Sequence, residues 1–186
     1  MAASLALLGA GAYKLIALDR SMDDGARRVR TLLKQQETSE QSDMPEAVDL
    51  DGLKAVGILT FCRDTHTATP IYYGTQTEVL EKGVGQAEDT ATLNTAGNSV
   101  LFGHRDSAFR EIEHLNEQDV LTVETADKTL DYVVTRIYIT DPDDPHIYDT
   151  TDDTTLTLVT CYPFSFVGPA PERCVVIAKC MDATMM

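Results

Sequence analysis

The sequence is poor in basic residues: 15 Lys and Arg stand against 30 Asp and Glu, for a formal charge of -15 and a pI near 4.4. A duplex repels a surface that lacks a basic stripe, so nucleic acid is excluded as a partner. The same excess of acid repels anionic lipid, so membrane contact has to come through an apolar segment. Cysteine is scarce as well. Cys62, Cys161, Cys174 and Cys180 form no CxxC pair and no His/Cys cluster at zinc spacing, which argues against a structural metal site. If RCVVIAKC is a single strand, Cys174 and Cys180 share one face but lie too far apart to bridge. Internal repeats and low-complexity tracts are absent. Apolar residues make up 43% and charged residues 24% of the 186, which suits one folded domain plus an appendage.

Long apolar runs are also few. Residues 1–18, MAASLALLGAGAYKLIAL, carry Lys14 as their only charge. This approaches the roughly 20 residues needed to cross a bilayer and reads as an N-terminal membrane anchor, which would place the remainder outside the cytoplasm. The other readings are a cleavable signal peptide, whose basic start is missing, and a helix packed on the domain. Over residues 21–41, Ala26, Val29, Leu32 and Leu33 fall at helical spacing after acids suited to a first turn, so a helix is expected. SDMPEAVDLDG mixes acids, Pro and Gly and reads as a linker. The expected organisation is an anchor over 1–20, a helix and linker over 21–50 and a β-rich domain over 51–186.

From Lys54 onward the pattern changes to short β-rich runs: AVGILTFC, PIYYG, NSVLFGH, DVLTVET, LDYVVTRIYIT, TLTLVTC and RCVVIAK. Turn residues separate them, as in an antiparallel barrel or sandwich. TEVLEKGVG reads as a turn or two of helix ending at Gly83, and DSAFREIEHL as another short helical or turn segment.

Chemistry is suggested by TLTLVTCYPF. Cys161 closes an alternating run, and Tyr162 and Pro163 then stop the ladder before a loop with one glycine and two more prolines. A strand cysteine is ordinarily core filler. A thiol where a strand meets a loop, however, can be reached by substrate, and as a nucleophile it needs a base or cation beside it. Among His66, His104, His114 and His146, the best mate is His104, which ends NSVLFGH and precedes Arg105 and Asp106. His146 lies in the acidic loop DPDDPHIYD, where solvated surface is the plain reading. Arg173 opens RCVVIAK, and a hairpin would bring its guanidinium back beside the thiol. A solvated cap is the ordinary role of such an arginine; its chemical use would be to hold an oxyanion or a carbonyl.

GHRDSAFREI with His104, TLVTC with Cys161 and PERCVVIAK with Arg173 resemble the three signature segments of the sortases, cysteine transpeptidases of bacterial cell surfaces. The resemblance covers roughly residues 54–180, and the YPF and GPAPER wording is most similar to class D. It implies a mainly β fold, a closed eight-stranded β-barrel with short helices. It implies Cys161 as nucleophile, His104 as the acid and base for the amines, and Arg173 as the group steadying substrate and oxyanion. The substrate would be a surface protein with an LPxTG-like C-terminal sorting signal, and the acceptor an amine of a peptidoglycan precursor or a pilin. Thr160, Val79, Leu80, Ala91 and Leu93 are the expected groove residues, with core packing an equal explanation for the last four, and ITDPDDPHIYDTTDD is the loop that helps choose substrate. No cofactor is expected; the acids of DPDDP match no EF-hand spacing, so a solvated loop is favoured over a calcium site. With no long lid evident over 35–52, an open site is expected. The alternatives to a transpeptidase are a Cys/His hydrolase using water and a tethered, non-catalytic β-barrel binding module.

Overall fold

All seven expected runs form strands, and two further strands join them. The strands are β1 (Val48–Leu50), β2 (Leu53–Phe61), β3 (Ala68–Tyr73), β4 (Val84–Gln86), β5 (Gly97–Phe102), β6 (Val120–Glu124), β7 (Thr129–Thr140), β8 (Thr154–Tyr162) and β9 (Glu172–Cys180). This computed structural model describes residues 17, 20–35, 47–61, 68–165, 168 and 170–181. The strand order is β1-β2-β3-β4-β5-β8-β9-β7-β6, and β6 also pairs with β2, which closes eight of the strands into a barrel with β1 as an outlying hairpin arm. Closure removes the unpaired edges an open sheet would present. Pairings are antiparallel except β3–β4 and β5–β8.

Alternation decides what fills the barrel. Leu59, Phe61, Leu101, Leu121, Tyr132, Leu156, Leu158 and Val176 point inward into one cluster. Tyr132 is buried there with its hydroxyl donating to Asn94 Oδ1 at 2.9 Å, while Asn94 Nδ2 donates to the Val123 carbonyl at 3.2 Å. Those bonds tie the β4–β5 connection to the β6–β7 hairpin.

The expected helix is present as α1 (residues 20–35). Ala26, Val29 and Leu33, spaced to share one face, are buried in one cluster with Ile58 and Tyr72 of the barrel wall and with Val79. Burying Val29 and Leu33 contributes roughly 1.5–3 kcal/mol each. Arg30 Nε reinforces the contact by donating to Glu124 Oε2 at 2.9 Å. The helix therefore belongs to the domain rather than to a separate appendage.

Two expectations are corrected. Part of the expected linker is β1, joined to β2 by a two-residue turn in which Asp51 and Gly52 take φ of 55° and 82°, the left-handed region a tight hairpin needs. TEVLEKGVG holds the expected short helix, α2 (Thr77–Leu80), but its last two residues, Val84 and Gly85, begin strand β4, which pairs in parallel with β3. Apart from Ala17 and Arg20, the expected anchor lies outside the described residues, as do Cys62, His66 and residues 36–46 of the region considered for a lid. Among the described residues no helix is long and apolar enough to cross a membrane.

Candidate active site

Strands β5 and β8 run side by side in parallel with Phe102 opposite Val159, so their C-terminal ends reach the same rim of the barrel. Cys161 is the penultimate residue of β8, and His104 follows the end of β5 by two residues. On the other side of β8, Cys161 and Arg173 are directly opposed in the antiparallel β8–β9 pair. Opposed side chains share a face with Cβ atoms about 4.5–5.5 Å apart, so the thiol and the guanidinium stem are neighbours. The topology thus brings together all three residues singled out for chemistry. Cys161 and Arg173 are half-buried and His104 is exposed.

Local features hold each in place. The amides of Ser107 and Phe109 both donate to the His104 carbonyl, at 3.3 and 2.9 Å, folding the following turn back on it. Phe109 is buried against Phe61, edge to face. A Cβ at Gly103 would lie 2.8 Å from Phe109 Cδ2, so only glycine lets the chain pass this ring on the way to His104. Arg173 Nη1 donates to the carbonyls of Glu172 at 2.9 Å and Ala170 at 3.3 Å, which holds the guanidinium at the loop end. Asp106 is exposed in the turn.

The face carrying Cys161 is the outer one. Val159 and Val175 continue it along β8 and β9, Val100 and Phe102 along β5, and all pack in a cluster with Ala87 and Ile147. On the outside of the barrel these side chains form a further closed apolar cluster, in which Val100, Val159, Val175 and Ile147 are buried and Phe102 is half-buried at the edge. Its roof is the 3-10 turn Pro145–Tyr148 in the β7–β8 connection, where Ile147 is buried and Tyr148 sets its ring 6.3 Å from that of Phe102. Asn98 on β5 pins this turn: its Nδ2 donates to the carbonyls of Ile147 at 3.2 Å and Asp149 at 3.0 Å, and its Oδ1 accepts from Thr157 Oγ1 at 2.7 Å.

The expected groove residues fall elsewhere. Thr160 is buried on the inner side, where its hydroxyl donates to the Gly103 carbonyl at 2.8 Å. Val79 packs with α1, and Leu93 is in the barrel core. Thr160, Val79 and Leu93 are thus buried, and Leu80 and Ala91 are half-buried. Phe102, Ile147, Tyr148 and the pinning Asn98 were not singled out from the sequence. The available signal was that SVLF and CVVI are apolar at consecutive positions, which means a strand covered on both faces.

In the acidic β7–β8 connection the acids engage their neighbours. Thr140 Oγ1 donates to Asp144 Oδ2 and the His146 amide to Asp144 Oδ1, and these bonds hold the Asp144 carboxyl below the usual range. His146 Nδ1 lies 3.0 Å from Asp149 Oδ2, and that carboxylate raises the His146 pKa. Among the described residues no group of three or more His, Cys, Asp or Glu side chains is arranged to hold a metal ion. Cys161, Cys174 and Cys180 are all free thiols, and burial pushes Cys174 up to about 11.

Comparison with known proteins gives a consistent picture. Residues 63–181 match the family model described as the Sortase domain. The chain is 32% identical over 187 residues to Sortase D of Bacillus subtilis (strain 168), covering 96% of this chain and 94% of that protein. It is similar to the catalytic domain of B. anthracis SrtD, at 32% identity and a TM-score of 0.59 over 78% of this chain and 96% of that one. It shares its fold with a Clostridium perfringens Sortase D5 transpeptidase, with a TM-score of 0.68 at 22% identity over 88% of this chain and 99% of that one.

Proposed function

The chain belongs to the sortase family and is a cysteine transpeptidase, and from that premise we propose that Cys161, His104 and Arg173 act on an LPxTG-like C-terminal sorting signal. The Cys161 thiolate attacks the scissile backbone carbonyl, and Arg173 holds the oxyanion that develops. The C–N bond breaks as His104 gives a proton to the departing amine, leaving a thioester on Sγ. An amine of the cell surface, from a peptidoglycan precursor or a pilin, then attacks that thioester and gives a proton to His104. The C–S bond breaks and the thiolate is restored.

The observation that supports this reading is the opposition of Cys161 and Arg173 on β8 and β9 at the rim where β5 delivers His104. Half-buried Phe102 and exposed Tyr148, on the same outer face as the thiol, suit the leucine and proline of such a signal, with Leu80 and Ala91 as more distant walls. The apolar stretch over residues 1–18 would hold the enzyme in the bacterial cell membrane with the barrel outside.

The test is incubation of the full chain with a panel of LPxTG-like peptides, with and without an amine, followed by mass spectrometry of the peptide products. Transfer to the amine, absent in Cys161→Ala, is expected. Products that carry only water, whatever amine is supplied, would convert the reading to the hydrolase.

A further inference from the structure

Two groups on neighbouring strands react only while the strand ends keep their separation, and at a strand end the ladder that keeps it has stopped. The last register pair between β5 and β8 is Phe102 with Val159, short of both His104 and Cys161. Beyond it three other bonds continue the junction. Gly103 N donates to the Val159 carbonyl at 3.3 Å, Thr160 Oγ1 to the Gly103 carbonyl at 2.8 Å, and Arg105 Nη1 to the Pro163 carbonyl at 2.8 Å. In chain order, His104 stands between Gly103 and Arg105, and Cys161 between Thr160 and Pro163. Each reacting residue is therefore flanked on both sides by a bond to the other's segment.

The outer of these stitches depends on a side chain because of the sequence at that point. Pro163 has no N–H, so its carbonyl is the only backbone hydrogen-bonding group it can offer a neighbour. Arg105 supplies the donor from a half-buried position, through a planar guanidinium whose several N–H groups suit a carbonyl acceptor. Hydrogen bonds from charged donors are shorter and stronger than neutral ones, which suits a bond that continues the junction past the end of the ladder.

We infer that Arg105 is a positioning residue for the transpeptidation: by bonding Pro163 it holds the His104 segment at working distance from Cys161, without touching substrate. The inference rests on the reading of Cys161 and His104 as the reacting pair. It predicts a loss in the chemical step rather than in binding, since a displacement of about 1 Å in a reacting group can cost on the order of 100-fold in rate.

The experiment compares the wild-type full chain with Arg105→Ala, Arg105→Met and Arg105→Lys in thioester formation from a sorting peptide under single-turnover conditions. KM and thermal midpoint are measured alongside. Arg105→Ala and Arg105→Met are expected to lower kcat by about 10- to 100-fold with KM within about 3-fold of wild type, while Arg105→Lys, which keeps a charged donor, recovers part of the rate. Arg105→Met keeps the apolar stem and carries the test if Arg105→Ala does not fold. A folded Arg105→Met with wild-type kcat, or a loss confined to KM, overturns the inference while the reading of the dyad stands. A wild type that forms no thioester with any sorting peptide overturns that reading and this inference with it.

Discussion

Asn98→Ala should release the turn that carries Ile147 and Tyr148. Asn98 is buried on β5, and its amide holds two carbonyls of the Pro145–Asp149 stretch while accepting from Thr157. Truncation removes three hydrogen bonds and leaves the Thr157 hydroxyl without this acceptor. At about 1 kcal/mol for each bond, and more where a buried group goes unsatisfied, the loss is about 2–4 kcal/mol. The turn carries Ile147 and Tyr148, so loosening it should raise KM for a sorting peptide by about 10-fold if only 1.4 kcal/mol of the change falls on the bound wall. Urea unfolding gives the first quantity and steady-state transfer the second. A variant less than about 0.5 kcal/mol destabilised, with KM unchanged, would refute the claim that Asn98 holds this turn in place.

Other outcomes follow from the same geometry. Gly103→Ala would set a methyl 2.8 Å from Phe109 Cδ2 and displace the turn that carries His104, so transfer should fall by about 10-fold or more while the fold survives in circular dichroism. Cys174 has its pKa raised by burial from 9.0 to about 11, so the stability its neutral form contributes is complete below pH 9 and is lost as pH rises from there toward 11. Thermal melts over that window should steepen for the wild type and flatten for Cys174→Ala, and iodoacetamide should label Cys161 well before Cys174. His146 has its pKa raised by Asp149, so this contact stabilises the turn below the unfolded histidine's pKa and is lost as pH rises through the folded value; an NMR titration should show its midpoint drop in Asp149→Asn. Asn94→Ala leaves the buried Tyr132 hydroxyl without its acceptor and should cost about 2–4 kcal/mol in urea melts.

Much of this molecule was legible in its sequence because its strands alternate cleanly. Leu156, Leu158 and Thr160 against Thr157 and Val159 gave β8 with the right residues on the right faces, and Ala26, Val29 and Leu33 marked the side of α1 that meets the barrel. The thiol, histidine and arginine were found because each stands where a strand meets a loop. β4 was hidden for physical reasons: three residues cannot display a period of two, and its parallel pairing with β3 depends on long-range contacts. The outer cluster was hidden because residues such as Val159 and Phe102, which sit on an outer face, have the same apolar character as those that fill the barrel. Which cluster each joins is set by which elements lie on top. The stitches at Arg105 and Asn98 were invisible for the same reason, since a side chain that bonds a backbone carbonyl carries no sequence signal for its distant partner.

The central claim is that Cys161 is the atom on which the transferred chain rides. It is tested most directly by trapping the enzyme with a sorting peptide in the absence of amine, digesting it at low pH and locating the added mass. The account predicts a thioester on the fragment that bears Cys161, discharged when amine is added and missing from Cys161→Ala. An adduct on Cys174 or Cys180 instead, or one on Cys161 that amine does not discharge, would contradict it.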